Sequence, residues 1–135
     1  FKDYETLEEI LSVENQKEIK DLGRKIKNFN EELWNREKYE IVKRGNLAKF
    51  SQNEDIKEFL LSTGDKIIVE ASPYDSIWGI GMGAKDENIE YPTAWKGENL
   101  LGFALMEVRD LLNKRSTFIN CRKFFNNFIW DYVKT

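Results

Sequence analysis

The chain contains no histidine. Ser-His-Asp and Cys-His catalysis are therefore excluded, as are metal sites built on imidazole. Acid–base work falls to Asp, Glu, Lys, Tyr or water. There is a single cysteine, Cys121. It cannot form an intramolecular disulfide, and no cysteine cluster suggests structural zinc. A reducing, cytoplasmic setting fits, and neither a metal nor a cofactor is expected. No apolar run approaches the roughly 20 residues that a membrane helix needs. The opening residues are acidic and amphipathic, unlike a signal peptide, so no membrane association is expected. The formal net charge of −3 gives no general pull toward nucleic acid. A local basic pocket for one phosphate stays open, because net charge says nothing about placement.

What is present points to one globular domain over residues 1–135. The chain has 135 residues, 41% hydrophobic and 33% charged, enough for a core and too apolar for disorder. Thr6-Leu-Glu-Glu9 has the form of a capping box ahead of Ile10 and Leu11, which suggests a short helix. Asn15-Gln-Lys-Glu18 repeats the device for a second helix ending near Gly23. Arg24, in the basic run that follows, is either a solvated helix residue or a guanidinium aimed at a phosphate. Asn30 is expected to cap a helix from Glu31 to about Asn46, continuing as helix or tight turn to Gln52. Asn53 is expected to cap the next, closed by Gly64. Asn99 opens the strongest helical pattern, with Leu100, Leu101, Ala104, Leu105, Val108, Leu111 and Leu112 as an apolar stripe. A glycine just before it, Gly97, suggests an anion-binding corner of backbone N–H groups. Residues 117–133 are rich in aromatics at helical spacing, for which core or dimer packing is the default reading.

One run reads as a strand. Lys66-Ile-Ile-Val-Glu70 is apolar throughout its centre, as in a buried central strand. Residues 86–95 and the C-terminal segment are the weak candidates for a partner. A lone strand leaves its ladder groups unpaired, so part of the sheet is expected outside this chain. The run feeds Glu70-Ala-Ser-Pro-Tyr-Asp-Ser-Ile-Trp-Gly-Ile-Gly-Met-Gly83. Pro73 stops regular structure. An acid, an indole and three glycines at alternate positions then follow, a combination that suits a binding or catalytic loop at a strand end.

These residues carry a family resemblance. Leu22-Gly23-Arg24, Trp34, Lys49-Phe50, Leu61-Ser-Thr-Gly64, Val69-Glu-Ala-Ser-Pro-Tyr-Asp75, Ile77-Trp-Gly-Ile-Gly81, Trp95-Lys-Gly-Glu-Asn-Leu-Leu-Gly102 and Ala104-Leu-Met-Glu-Val-Arg109 together resemble the NADAR family, also called YbiA-like, over about residues 1–114. The resemblance implies a compact α+β domain, predominantly helical with a small sheet. It also implies N-glycosidase activity on ribose-linked bases. The implied substrates are phosphorylated ribosylamino-pyrimidines of the riboflavin-intermediate type, or ADP-ribose attached to a nucleobase, free or in nucleic acid. Members usually begin with an E-H-x-x-Q-x-x-K-A-type segment, whereas this chain opens at Phe1-Lys2-Asp3. The chain is therefore expected to be a fragment, half of a two-chain protein or a divergent member. A homo-oligomer or partner chain is a further expectation.

Breaking a ribosyl C–N bond builds positive charge at C1′ and the ring oxygen, which calls for a carboxylate and a positioned water. On this reading Asp75 is the first choice for that carboxylate and Glu70 the second. Tyr74 and Trp78 stack on base or ribose, at about 1–3 kcal/mol per base. Gly79 and Gly81 admit backbone amides to the ligand. Arg24, Lys49 and Arg109 hold phosphate, Trp95 completes the pocket and Asn99 bonds a ribose hydroxyl. Each has a plainer alternative. Asp75 could cap the turn after Pro73, Trp78 could be a core plug, Glu70 could pair with Lys49 or Arg24, and Asn99 could be a helix N-cap. The functional alternative is a non-catalytic module that binds ADP-ribose-like nucleotides, or a subunit that needs a partner to complete its site.

Overall fold

A computed structural model describes residues 1–113, in two compact units that divide between Lys38 and Tyr39. The aromatic segment 115–135 lies outside the described residues, as do Cys121 and the reading placed on that segment. In the first unit, α1 (Tyr4–Ser12) packs on α2 (Gln16–Gly23). The cap of α1 is Asp3 rather than Thr6: its carboxylate accepts from the Thr6 amide at 3.2 Å and from the Lys27 amide at 2.8 Å. One side chain thus ties a helix start to the loop after α2. The bond from the Lys27 amide, followed by those from Thr6, holds the Asp3 carboxyl below its ordinary range. A carboxyl depressed in the folded state contributes stability above the unfolded pKa, and that contribution is lost as pH falls through the folded value. Hydrogen exchange at the Thr6 and Lys27 amides is therefore expected to accelerate on acidification below the ordinary Asp range, and an Asp3→Asn variant to lose that dependence. Asn15 caps α2 as expected, accepting from the Lys17 and Glu18 amides.

The long helix α3 (Glu31–Gln52) opens with Asn30 accepting from the Leu33 amide at 2.8 Å. It runs unbroken through Gly45 and Asn46 to Gln52. Asn53 does not cap the following helix, α4 (Glu54–Ser62), through its side chain. Its amide instead donates to the Lys49 carbonyl at 2.7 Å, closing α3 from its C-terminal end. Gly64, at φ +57°, supplies the left-handed turn after α4. The last described helix, α5 (Leu100–Leu112), packs on α4. The core of the second unit is Leu60, Ile80, Met82, Ala104, Met106 and Val108. Ile80 and Val108 are fully buried. Ile80 lies inside the glycine-rich loop, so that loop is itself part of the core. Ile80→Ala is expected to cost about 2–5 kcal/mol of stability, read as a lowered urea midpoint.

The α+β expectation is corrected here: among the described residues there is no strand and no sheet. Residues 66–70 carry no regular secondary structure, Ile67 is 58% exposed, and Ile68 and Val69 are only half-buried. Residues 86–95 form turns and a 3₁₀ segment, Pro92–Ala94, in place of a partner strand. Three backbone groups of residues 66–70 are bonded by side chains of α5 and its first flanking residue. Asn99 Oδ1 accepts from the Glu70 amide at 3.0 Å, and Asn99 Nδ2 donates to the Ile68 carbonyl at 3.0 Å. Arg109 donates to the Lys66 carbonyl at 2.8 Å and to the Thr63 hydroxyl at 2.9 Å. The continuous apolar pattern is not a strand here, and side chains bond three of its backbone groups.

Candidate functional site

The Glu70–Gly83 loop folds on its own carbonyls. The Glu70 carbonyl accepts from the Ser72 and Ile80 amides, each at 3.0 Å, and the Asp75 carbonyl accepts from the Gly81 amide at 3.1 Å. The Asp75 carboxylate turns back to accept from the Ile77 amide at 3.0 Å and the Trp78 amide at 2.7 Å. This is the Asx-type turn expected of a short acid after proline. Gly79 sits where the Glu70 and Asp75 backbones converge: a Cβ there would lie 2.8 Å from both carbonyl oxygens. Gly81 takes φ +64° against the Lys96 backbone.

The far side of the loop docks on the start of α5. Carbonyls of Ser76, Ile77, Trp78, Gly79 and Ile80 accept from the amides of Glu98, Leu100, Leu101, Asn99 and Lys96 respectively, at 2.9–3.2 Å. The amides of Lys96, Glu98, Asn99, Leu100 and Leu101 are thus already bonded. The anion-binding corner expected at Gly97 is therefore occupied by the loop, since a helix start binds anions only through N–H groups left unbonded. Gly97 has a steric task instead, because a Cβ there would meet Gly79, Ser76 and Gly81 backbone atoms.

The expected site residues separate into groups. Glu70, Asp75, Trp78, Gly79 and Gly81 share the loop, and Trp95 stands at its edge with its indole N–H donating to the Ile89 carbonyl at 2.8 Å. Tyr74 is 98% exposed at the turn after Pro73. Glu70 is half-buried, and its carboxylate has no hydrogen-bond or ion-pair partner among the described residues. It does not pair with Lys49. Lys49 is exposed on α3, its ammonium 5.6 Å from the centre of its neighbour Phe50's ring. Arg24 belongs to the first unit, exposed, with Asp21 at 3.6 Å. Asn99 and Arg109 are buried and bonded to residues 66–70. Asn99 is the N-cap residue of α5, at φ 55°, but its side chain makes no cap bond.

A second polar cluster joins α3 and α5. The Tyr39 hydroxyl donates to Glu107 Oε1 at 2.7 Å, while Lys43 bridges Glu40 at 2.6 Å and Glu107 at 3.0 Å. Burial first, then the bond to Glu107, raises the Tyr39 phenol far above its ordinary range. Burial pulls the Lys43 ammonium down, but its bonds to Glu40 and Glu107 outweigh it and the amine titrates above its usual value. Both groups keep their protons at neutral pH, so neither serves as a general base. Among the described residues no cluster of His, Cys, Asp or Glu could hold a metal ion, and no helix is long and apolar enough to cross a membrane.

The sequence reading missed the structural uses of Asn99, Gly97 and Gly102. The available signal was an apolar run with no partner strand, combined with a buried-type helix opening on Asn. Comparison with known proteins bears on the whole of this region. The model of the NADAR domain matches residues 1–113, across both compact units. An N-glycosidase of Acanthamoeba polyphaga mimivirus is 46% identical over 110 residues, covering 82% of this chain and 65% of that protein. Protein irg-1 of Caenorhabditis elegans is 40% identical over 123 residues, covering 90% of this chain and 58% of its own. The chloroplastic riboflavin biosynthesis protein PYRR of Arabidopsis thaliana is 32% identical over 112 residues, covering 80% of this chain and 17% of that protein. The chain thus spans less than two-thirds of the length of these relatives.

Proposed function

The chain belongs to the NADAR domain family, and from that premise we propose that it hydrolyses the C–N bond between a ribosyl C1′ and a base. The N-glycosidase name of the mimivirus relative supports the reaction class. The riboflavin biosynthesis name of PYRR supports a phosphorylated ribosylamino-pyrimidine as substrate. ADP-ribose on a nucleobase, free or in nucleic acid, is the second substrate class of the same reaction.

The observation that carries the proposal is the Glu70 carboxylate. Glu70 is half-buried, and its carboxylate is without a partner among the described residues, in a loop fixed on both sides by backbone bonds. A buried acid is normally paired, and an acid left unpaired in a rigid loop is available to a ligand. In the reaction the C1′–N bond breaks with its electron pair going to nitrogen, which gains a proton. Water adds its oxygen to C1′ and gives up a proton. Glu70 and Asp75 share the acidic work: a carboxylate faces the cationic C1′ and a carboxylate accepts the proton from water. Trp78 and Tyr74 offer ring faces for base or ribose. Lys49 and Trp95 are the further substrate contacts of this reading.

Incubation with a ribosylamino-pyrimidine phosphate, and in parallel with an ADP-ribosylated base, tests the proposal through chromatography of the free base. Release from at least one substrate is expected. Tight calorimetric binding of ADP-ribose with no release from either would support the binding-module alternative instead.

A further inference from the structure

The run at residues 66–70 and the buried Asn99 are one device. In a parallel sheet, a residue of the neighbouring strand donates its N–H to one carbonyl and accepts through its own carbonyl from the N–H two residues further on. The Asn99 side chain does this with Ile68 and Glu70: Nδ2 donates to the Ile68 carbonyl at 3.0 Å, and Oδ1 accepts from the Glu70 amide at 3.0 Å. A single carboxamide replaces one residue of a strand. Asn99 is 0% exposed and adopts the left-handed conformation, φ 55° and ψ 35°. Asn tolerates that conformation better than most residues. Its own amide donates to the Gly79 carbonyl at 3.0 Å. The same residue therefore holds both the entry to the Glu70–Gly83 loop and its middle. The close approach also requires Gly102, where a Cβ would lie 2.2 Å from the Ile68 carbonyl and 2.4 Å from Asn99 Nδ2.

We propose that Asn99 is the positioning residue for Glu70: its buried carboxamide fixes the Glu70 backbone and thereby the direction of the Glu70 carboxylate. Asn99 does not touch the substrate. Both of its polar side-chain atoms are spent on backbone, and no surface of it reaches solvent. The proposal rests on Glu70 taking part in turnover, and its test separates the two ideas.

The first readout needs no substrate. In Asn99→Ala, hydrogen exchange at the Glu70 amide is expected to speed up about tenfold or more, while the Val108 amide in the core of α5 keeps its protection. An unchanged Glu70 rate in a folded Asn99→Ala protein overturns the proposal. The second readout is kinetic. Asn99→Ala is expected to lower kcat about tenfold to a hundredfold, with KM moving by less than about threefold because binding contacts remain. Placed on Glu70→Gln, the same substitution is expected to cost almost nothing further, since the group it positions is gone. An equal loss in both backgrounds overturns the proposal. Should Asn99→Ala fail to fold, Asn99→Asp keeps the acceptor for the Glu70 amide and loses the donor to Ile68. A kcat loss of about tenfold that disappears in the Glu70→Gln background is then expected, and one that persists there overturns it. Wild-type turnover by Glu70→Gln alone would sink the catalytic reading of Glu70, and the exchange experiment would still decide whether Asn99 pins that backbone.

Discussion

Glu70→Gln is expected to reduce base release about 10²–10⁴-fold, the usual cost of losing a positioned acid or base, while the melting temperature stays near that of the wild type. The two halves of that expectation have one cause. The carboxylate makes no hydrogen bond or ion pair among the described residues, so the isosteric amide takes nothing from the fold. The Glu70 amide and carbonyl, which do hold the loop through Asn99, Ser72 and Ile80, are unchanged by it. Asp75 should behave differently. Its Oδ1 accepts from the Ile77 and Trp78 amides, and Asp75→Asn keeps an oxygen there while removing the charge. Asp75→Ala removes both. If Asp75 acts through its charge, the two variants lose turnover alike. If it only closes the turn, Asp75→Asn stays near wild type and Asp75→Ala alone falls. Comparing kcat and thermal melting for the three variants separates charge from architecture residue by residue.

Gly97→Ala is expected to destabilise the second unit strongly. A Cβ at Gly97 would stand 2.3 Å from the Gly79 carbonyl oxygen, 2.8 Å from Ser76 Cα and 2.9 Å from the Gly81 amide nitrogen. All three neighbours are backbone, so no side chain can swing away. The loop must leave the start of α5, which costs the bonds that join residues 76–80 to residues 96–101. Overpacking of this kind costs roughly 3 kcal/mol or more. Gly45→Ala provides the contrast. Gly45 lies inside α3 with nothing within 4 Å of the added Cβ, and alanine there is expected to stabilise by about 0.5–1 kcal/mol through helix propensity. Urea denaturation of both variants measures the difference. A Gly97→Ala protein as stable as wild type would contradict the docked arrangement of loop and helix.

The helices were legible because their signals are local. Asn15 and Asn30 sit beside the amides they cap, and the stripe from Leu100 to Leu112 has a period that can be counted. The cap of α1 was misplaced by three residues because Thr6 and Glu9 spell a capping box, while Asp3 outcompetes Thr6 by also reaching the Lys27 amide. The sheet was misread for the opposite reason. The apolar run at residues 66–70 suggests a strand, but the run bonds to a side chain 29 positions from Glu70, and no periodicity announces that. The site followed the same division. The acids, indole and glycines of residues 70–83 were visible as a group. That Asp75 is bonded to the turn and Glu70 is not depends on how the loop closes, which only three-dimensional geometry reveals. Lys49 and Arg24 were expected from their charge and from the family segments that hold them; Lys49 lies beside the Phe50 ring and Arg24 beside Asp21.

The most direct measurement is base release from a ribosylamino-pyrimidine phosphate and from an ADP-ribosylated base, followed with wild-type protein and Glu70→Gln side by side. The expected result is free base from the wild type on at least one substrate and almost none from Glu70→Gln. No release by the wild type from either substrate, or equal release by both proteins, would contradict an N-glycosidase site built around Glu70.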